Sequence, residues 1–221
     1  MCKKLINKFL LYNRELFFKK ISPKFRVDAL KNLMDLIYVL FEKIAFSFEV
    51  LSIQYLQFYE ELVEKEVKIA GVTLKDKVLV IGCGSIPATP ILIANKTRAQ
   101  IVSIDVDEKA VYNASRFIKH QHLESLIKCE QADGLSYPVG IYDVIFILYG
   151  IKQQREILTY VSKNMKENAR VIYRTTDDVF EKIVGGRSFL SKLFIIRDCV
   201  HSDVIPQNNS YLLLKMLCGM I

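Results

Sequence analysis

Two glycines and two aspartates stand where a chain could hold a nucleoside. Gly82-Cys83-Gly84 follows the apolar run Val78 to Ile81 and leads to Pro87. Glycines at such a turn let the backbone approach a ligand closely. The next buried stretch, "IVSI", ends at Asp105, followed by Val106. A carboxylate there accepts hydrogen bonds from both hydroxyls of a ribose. A third stretch runs into "EQADGLSY", where Asp133 can accept from the amino group of an adenine and Gly134 follows. A fourth, Val144 to Leu148, ends at Leu148 and Tyr149, which wall the same pocket. Together these loops specify an adenosine ligand.

The missing residues narrow the choice. A dinucleotide loop has a third glycine for close helix packing, with a pyrophosphate on the helix N-terminus. Here that position is Ile86. No phosphate-binding lysine follows, as it would in a triphosphate loop. S-adenosylmethionine carries no phosphate and lays an amino acid moiety over the turn, which tolerates the bulkier residue.

The elements that must position these residues follow two periods. Up to about residue 70 the apolar positions recur at helical spacing, as in Leu30, Leu33, Met34, Ile37, Leu40, Phe41 and Ile44. Pro23 breaks this segment, Asp28 is a candidate N-cap, and a third helix beginning near Glu49 is ended by Gly71. From Lys77 the pattern changes to short runs rich in Val and Ile: Val78 to Ile81, Ile101 to Ile104, Val144 to Leu148 and Val171 to Tyr173. Helices are expected between them at Pro87 to Asn95, Glu108 to His120 and Gln153 to Lys166, the first opened by Pro87. The tail breaks the alternation, because "KLFIIRDCV" and "SYLLLKML" are joined by a polar loop with no room for a helix. The expected fold class is α/β. It is a doubly wound, mostly parallel sheet of Rossmann-like methyltransferase type with a terminal antiparallel hairpin, preceded by an N-terminal helical segment. Residues 1–71 form that segment and residues 72–221 the S-adenosylmethionine-binding domain.

Composition excludes several classes. Hydrophobic residues make up 51% and charged ones 25% of 221 residues, which suits a globular protein. No apolar run approaches a membrane span, and the first twenty residues are too interrupted by charge for a signal peptide, so a cytoplasmic location is expected. Cys2, Cys83, Cys129, Cys199 and Cys218 are scattered and never spaced C-x-x-C, which argues against a disulfide framework or a zinc site. His120 and His122 in "KHQH" read as a solvated helix end, so no metal ligands are assigned. Of the net charge of +7, much lies in residues 1–26, where Lys3, Lys4, Lys8, Arg14, Lys19, Lys20, Lys24 and Arg26 face one glutamate. A basic amphipathic helix can lie on anionic lipid or on nucleic acid. Inward packing of Leu5, Leu10, Leu11, Phe17 and Phe18 is the favoured reading.

The loop is specific enough to carry a family likeness. Methyltransferases that use this cofactor usually have an acidic residue two before the first glycine and a third glycine two after the second; this chain has Val80 and Ile86. "GCGSIPATPI" resembles the corresponding loop of the nicotianamine synthase family, and the resemblance continues through "IDVDEKAVYNASRFI", "YDVIFILYGI", "ARVIYRT" and "NNSYLLLKM", over about residues 53 to 217. It implies an aminocarboxypropyl transferase that takes S-adenosylmethionine as donor substrate and a small-molecule amine or amino acid as acceptor, releasing methylthioadenosine. The product would be a metal-chelating molecule. It also implies a tyrosine and, seven residues on, a catalytic glutamate in the helix before the first strand, here Tyr59 and Glu66 within "YEELVEKEVKI". Such a base would take the proton of the attacking amine. Tyr55 either lines the pocket or packs. Arg174, after "VIY", either holds a substrate carboxylate or forms a structural ion pair.

Two other functions remain open on the same fold. One is a small-molecule methyltransferase. The other is a catalytically silent module that binds the ligand or tethers through residues 1–26 to a membrane. Modification of nucleic-acid bases is disfavoured, because "ILYG" lacks an acidic or amide residue followed by two prolines and an aromatic.

Overall fold

The computed structural model describes residues 49–204 and 208–216, apart from the side chains of residues 49–54 and 178. The first two expected helices and the basic stretch 1–26 lie outside the described residues.

Helix α1 (Glu49–Ala70) precedes strand β1 (Lys77–Ile81), helix α2 (Ala88–Thr97), strand β2 (Gln100–Asp105), helix α3 (Glu108–His120), strand β3 (Ile127–Gln131) and strand β4 (Val144–Ile147). Helix α4 (Gln154–Asn164), strand β5 (Arg170–Thr176), a broken helical segment from Asp177 to Leu190, and strands β6 (Phe194–His201) and β7 (Asn208–Lys215) follow. The seven strands form one sheet in the order β3-β2-β1-β4-β5-β7-β6. Strands β1 to β5 are parallel, and β7 runs antiparallel to both β5 and β6. This is the expected doubly wound sheet closed by a hairpin. Valine and isoleucine dominate β1 and β4, which are buried on both faces as helix-covered parallel strands must be.

The order reverses between β1 and β4, so the switch point lies between the loops that follow them. Strand β5 is longer than the apolar run Val171 to Tyr173 indicated. Its pairing with β4 stops at Tyr173, while Arg174, Thr175 and Thr176 continue against Ser210, Asn209 and Asn208 of β7. The polar end of this strand was illegible as strand because its partner comes from far along the chain. Pro87 caps α2 from the position just before its first residue rather than occupying the first helical position. The segment Asp177–Leu190 had no periodic signature and includes a single π turn, Phe180–Val184. On the edge strand β6 the pairing shifts at a bulge between Ile196 and Asp198.

Helix α1 buries Tyr55, Tyr59, Leu62, Val63, Glu66 and Ala70, a stripe at helical spacing, against the sheet. It packs on α2 and on β5, β6 and β7. Its end is fixed by Gly71, whose positive φ of 59° lets the Val72 N–H reach back to the Val67 carbonyl at 3.1 Å. Arg170 at the start of β5 then clasps that end. Its Nη1 donates to the Ala70 and Gly71 carbonyls at 2.6 and 2.9 Å, and its Nη2 pairs with Asp76. Because β5 runs upward from this clasp while α1 runs down into it, the first half of α1 lies toward the ligand edge of the sheet. Replacing Arg170 by Ala removes charge-assisted bonds to three groups and is expected to destabilise the chain by about 2 kcal/mol. A urea melt should show a lower midpoint with an unchanged slope.

Candidate active site

The expected donor residues lie at four strand ends. Gly82 and Gly84 have φ of 84° and 64°, a region that a side chain rarely adopts, and the turn is pinned by the Gly82 N–H donating to the Ile104 carbonyl at 2.8 Å. A Cβ on Gly82 would stand 3.0 Å from Cγ1 of Ile151, which therefore roofs the loop from the β4 side. Asp105 ties the turn to the next strand. Its Oδ2 accepts the Gly84 N–H at 2.9 Å and its Oδ1 the Asp107 N–H at 3.0 Å. One acceptor position on each oxygen remains beyond these bonds, which is what two ribose hydroxyls require. Val106 beside it is 67% exposed, an apolar face offered to solvent.

Asp133 is exposed, and its Oδ1 accepts the Leu135 N–H at 2.9 Å, an Asx turn that leaves Oδ2 outward. Gly134 is buried tightly, since a Cβ there would meet Cγ2 of Ile81 at 2.9 Å. Leu148 is buried and Tyr149 half-buried at the end of β4. Cys83 turns inward instead, and a hydrogen bond with Cys129 together with burial pushes its thiol well up, so it stays protonated. The expected donor residues thus gather around one switch point, with Cys83 behind the loop rather than facing it.

The other side was only partly anticipated. Glu66 is fully buried and joined to Arg174 by two bonds, Nε to Oε1 at 2.8 Å and Nη2 to Oε2 at 2.6 Å. Ser210 Oγ donates to Oε1 at 2.6 Å, and Arg174 Nη1 donates to Thr89 Oγ1 at 3.1 Å. Arg174 also lies over the Tyr59 ring, 5.4 Å from its centroid, and the Tyr55 and Tyr59 rings are 5.1 Å apart. Arg174 forms an ion pair with Glu66, one of its two readings. Burial disfavours its cation, but the Glu66 carboxylate outweighs that and holds the guanidinium above its ordinary value. Tyr55, Tyr59, Glu66 and Arg174 therefore form one cluster. Arg174 and Ser210 supply three hydrogen bonds to the Glu66 carboxylate, two to Oε1 and one to Oε2.

Sequence reasoning missed Thr89 and Ser210. The signal existed for Thr89, which lies on the helix that the glycine loop opens. Ser210 became relevant only through the antiparallel register that sets it opposite Arg174. The cluster thus links α1, α2, β5 and β7.

With this geometry in view, comparison with known proteins is decisive for the family. Residues 43–208 match the model of the nicotianamine synthase protein family. The chain belongs to the nicotianamine synthase family. Among curated relatives, an L-histidine 2-aminobutanoyltransferase of Pseudomonas aeruginosa strain UCBPP-PA14 is 24% identical over 122 residues, which is 55% of this chain and 46% of that protein. The match spans about half the length of that relative. A glutamate-to-glutamine mutant of MtNAS, solved with S-adenosylmethionine, superimposes with a TM-score of 0.72 at 16% identity, covering 85% of this chain and 77% of that one. MtNAS in complex with MTA and tNA gives a TM-score of 0.66 at 17% identity over 84% and 72% of the two chains. At these identities the superpositions establish the shared fold.

Glu66→Gln leaves the Arg174 charge buried without its partner and is expected to cost about 3 to 5 kcal/mol of stability. The double variant Glu66→Gln, Arg174→Met removes that charge as well. Thermal melts should place its midpoint above that of the single variant; a midpoint equal to or below it would mean that the pair is not the source of the loss.

Proposed function

We propose that the chain transfers the aminocarboxypropyl group of S-adenosylmethionine to the amine of a small acceptor, releasing methylthioadenosine. The observation that carries this reading is Arg174 touching both Glu66 of α1 and Thr89 of α2. Through it, a carboxylate from the segment before residue 72 stands beside the helix opened by the glycine loop. A donor pocket alone would serve many reactions on this fold; a buried carboxylate and two tyrosines beside it suit an amine acceptor.

The donor supplies an electrophilic carbon next to a sulfonium: a C–N bond forms as the C–S bond breaks, and its electron pair neutralises the sulfur. The residues of the chain do the rest. Asp105, Val106 and Asp133 hold the adenosine. Leu148, Tyr149, Gly134 and Ile151 close the pocket around it. Tyr55 and Tyr59 wall the acceptor side, and Oε2 of Glu66 takes the proton that the attacking nitrogen must lose. Arg174, through both oxygens, and Ser210, through Oε1, fix that carboxylate in place rather than binding substrate. Thr89 fixes the guanidinium in turn.

An amino acid with a free amine, such as the histidine in the name of the Pseudomonas relative, is the acceptor class we favour. Such a product gathers amines and carboxylates on one flexible backbone, a donor set suited to transition metals. No helix among the described residues is long and apolar enough to cross a membrane, which fits our reading of a cytoplasmic enzyme.

The test is to incubate the protein with S-adenosylmethionine and a panel of amino acids and to identify the nucleoside released. Methylthioadenosine is the expected product. Adenosylhomocysteine would instead establish methyl transfer. Asp105→Ala should weaken S-adenosylmethionine binding by tenfold or more in calorimetry, because two charge-assisted bonds to ribose are lost (about 1.5 kcal/mol each). An unchanged affinity would remove Asp105 from the donor site.

A further inference from the structure

Asn208 opens β7, directly opposite Thr176, the last residue of β5. It is 2% exposed, and no donor among the described residues reaches its side-chain Oδ1. A buried carbonyl oxygen without a partner is rare in a folded chain and calls for an explanation.

Its place in the sheet supplies one. Side chains alternate along a strand, so Asn208 shares a face with Ser210, whose hydroxyl bonds to Glu66. Asn209 faces the other way, bonding to His201 and Asp177. Asn208 therefore lies on the α1 side, one pleat repeat, about 7 Å, beyond Ser210. Because β7 is antiparallel, that step leads toward the carboxyl ends of the parallel strands, where ligands of such sheets bind. Tyr59 and Tyr55 step the same way along α1 from Glu66.

We infer that Asn208 Oδ1 accepts an N–H of the acceptor's amine and so selects amine-bearing acceptors and positions the nitrogen for attack. An amine keeps at least one N–H after surrendering a proton to Glu66. Before that transfer, Oε2 of Glu66 and Oδ1 of Asn208, two acceptors on one face, hold the two N–H groups of the neutral amine and leave its lone pair pointing elsewhere; the proton passes to Oε2 once the C–N bond has formed. Asn208 is a positioning and specificity residue in this account, and the inference rests on the transfer proposed above.

The test measures binding of two probes in the presence of methylthioadenosine: L-histidine, and 3-(imidazol-4-yl)propanoate, which is histidine without its amine. The wild-type protein should prefer L-histidine by about tenfold or more. Asn208→Leu, nearly isosteric but without an acceptor, should abolish that preference while leaving the affinity for the desamino probe unchanged. Asn208→Asp, which keeps an oxygen acceptor, should retain the preference. A merely structural role would move both probes together. Lack of amine preference in the wild-type protein, or a preference that survives in Asn208→Leu, overturns the inference. Release of methylthioadenosine by the wild-type protein, followed in parallel, decides the transfer reaction itself. Histamine, which lacks the carboxylate, is the control. If Asn208→Leu abolishes discrimination against histamine but not against the desamino probe, the side chain reads the carboxylate and the inference fails.

Discussion

A guanidinium can sit out of water only where a carboxylate meets it in good geometry, and Arg174 imposes that requirement on the whole upper half of the sheet. Its charge is 3% exposed and lies at the part of β5 that projects past β4. Glu66 must come from α1 to meet it, Ser210 from β7 to fill the carboxylate's other side, and Thr89 from α2 to take a third N–H. Each contact constrains an element that purely apolar packing would let slide. Buried pairs of this kind add little net stability against an apolar alternative, whereas breaking one is costly. The pair thus fixes the register between α1 and the sheet more than it strengthens the fold.

In the proposed transfer, that register has a chemical use. A helix whose apolar stripe could slip by one turn would carry Tyr59 and Tyr55 about 5 Å along its axis. With Glu66 held by two bonds to a planar group and Arg170 clasping the C-terminal end, α1 has no such freedom. The tyrosines and the carboxylate are therefore held at a set height against the sheet. Preorganisation of this sort is what a displacement reaction asks of a protein, because the reacting atoms must be held in line.

Most of the sheet was legible in the sequence, for a physical reason: strands covered by helices on both faces must be largely apolar, as β4 and all of β1 but its first residue are. Helix α3 was legible to its ends, since Asp107 caps it through the Lys109 N–H and its apolar face repeats at helical spacing. The donor loops followed from residue types that only a few ligands require. The acceptor side was less readable. Tyr59 and Glu66 came from family likeness, while Ser210 and Asn208 depended on the pairing of β7 with β5 across more than thirty intervening residues. Local pattern carries no record of such a register. The polar end of β5 looked like loop for the same reason, and the segment from Asp177 to Leu190 offered no period at all.

The bulge on β6 bears on how the molecule meets its neighbours in a crowded solution. A sheet that ends in a long straight strand invites another chain to add itself, and repeated addition leads to fibres. Strand β6 is eight residues long and carries the exposed Ile195, so it would be such an invitation. The shift between Ile196 and Asp198 breaks its rhythm at mid-length, and the exposed Arg197 and Asp198 stand at that break. An incoming strand would lose its hydrogen-bond ladder there and would have to strip water from two charges. The hairpin that delivers Ser210 and Asn208 to the site is in this way also protected against templating its own aggregation.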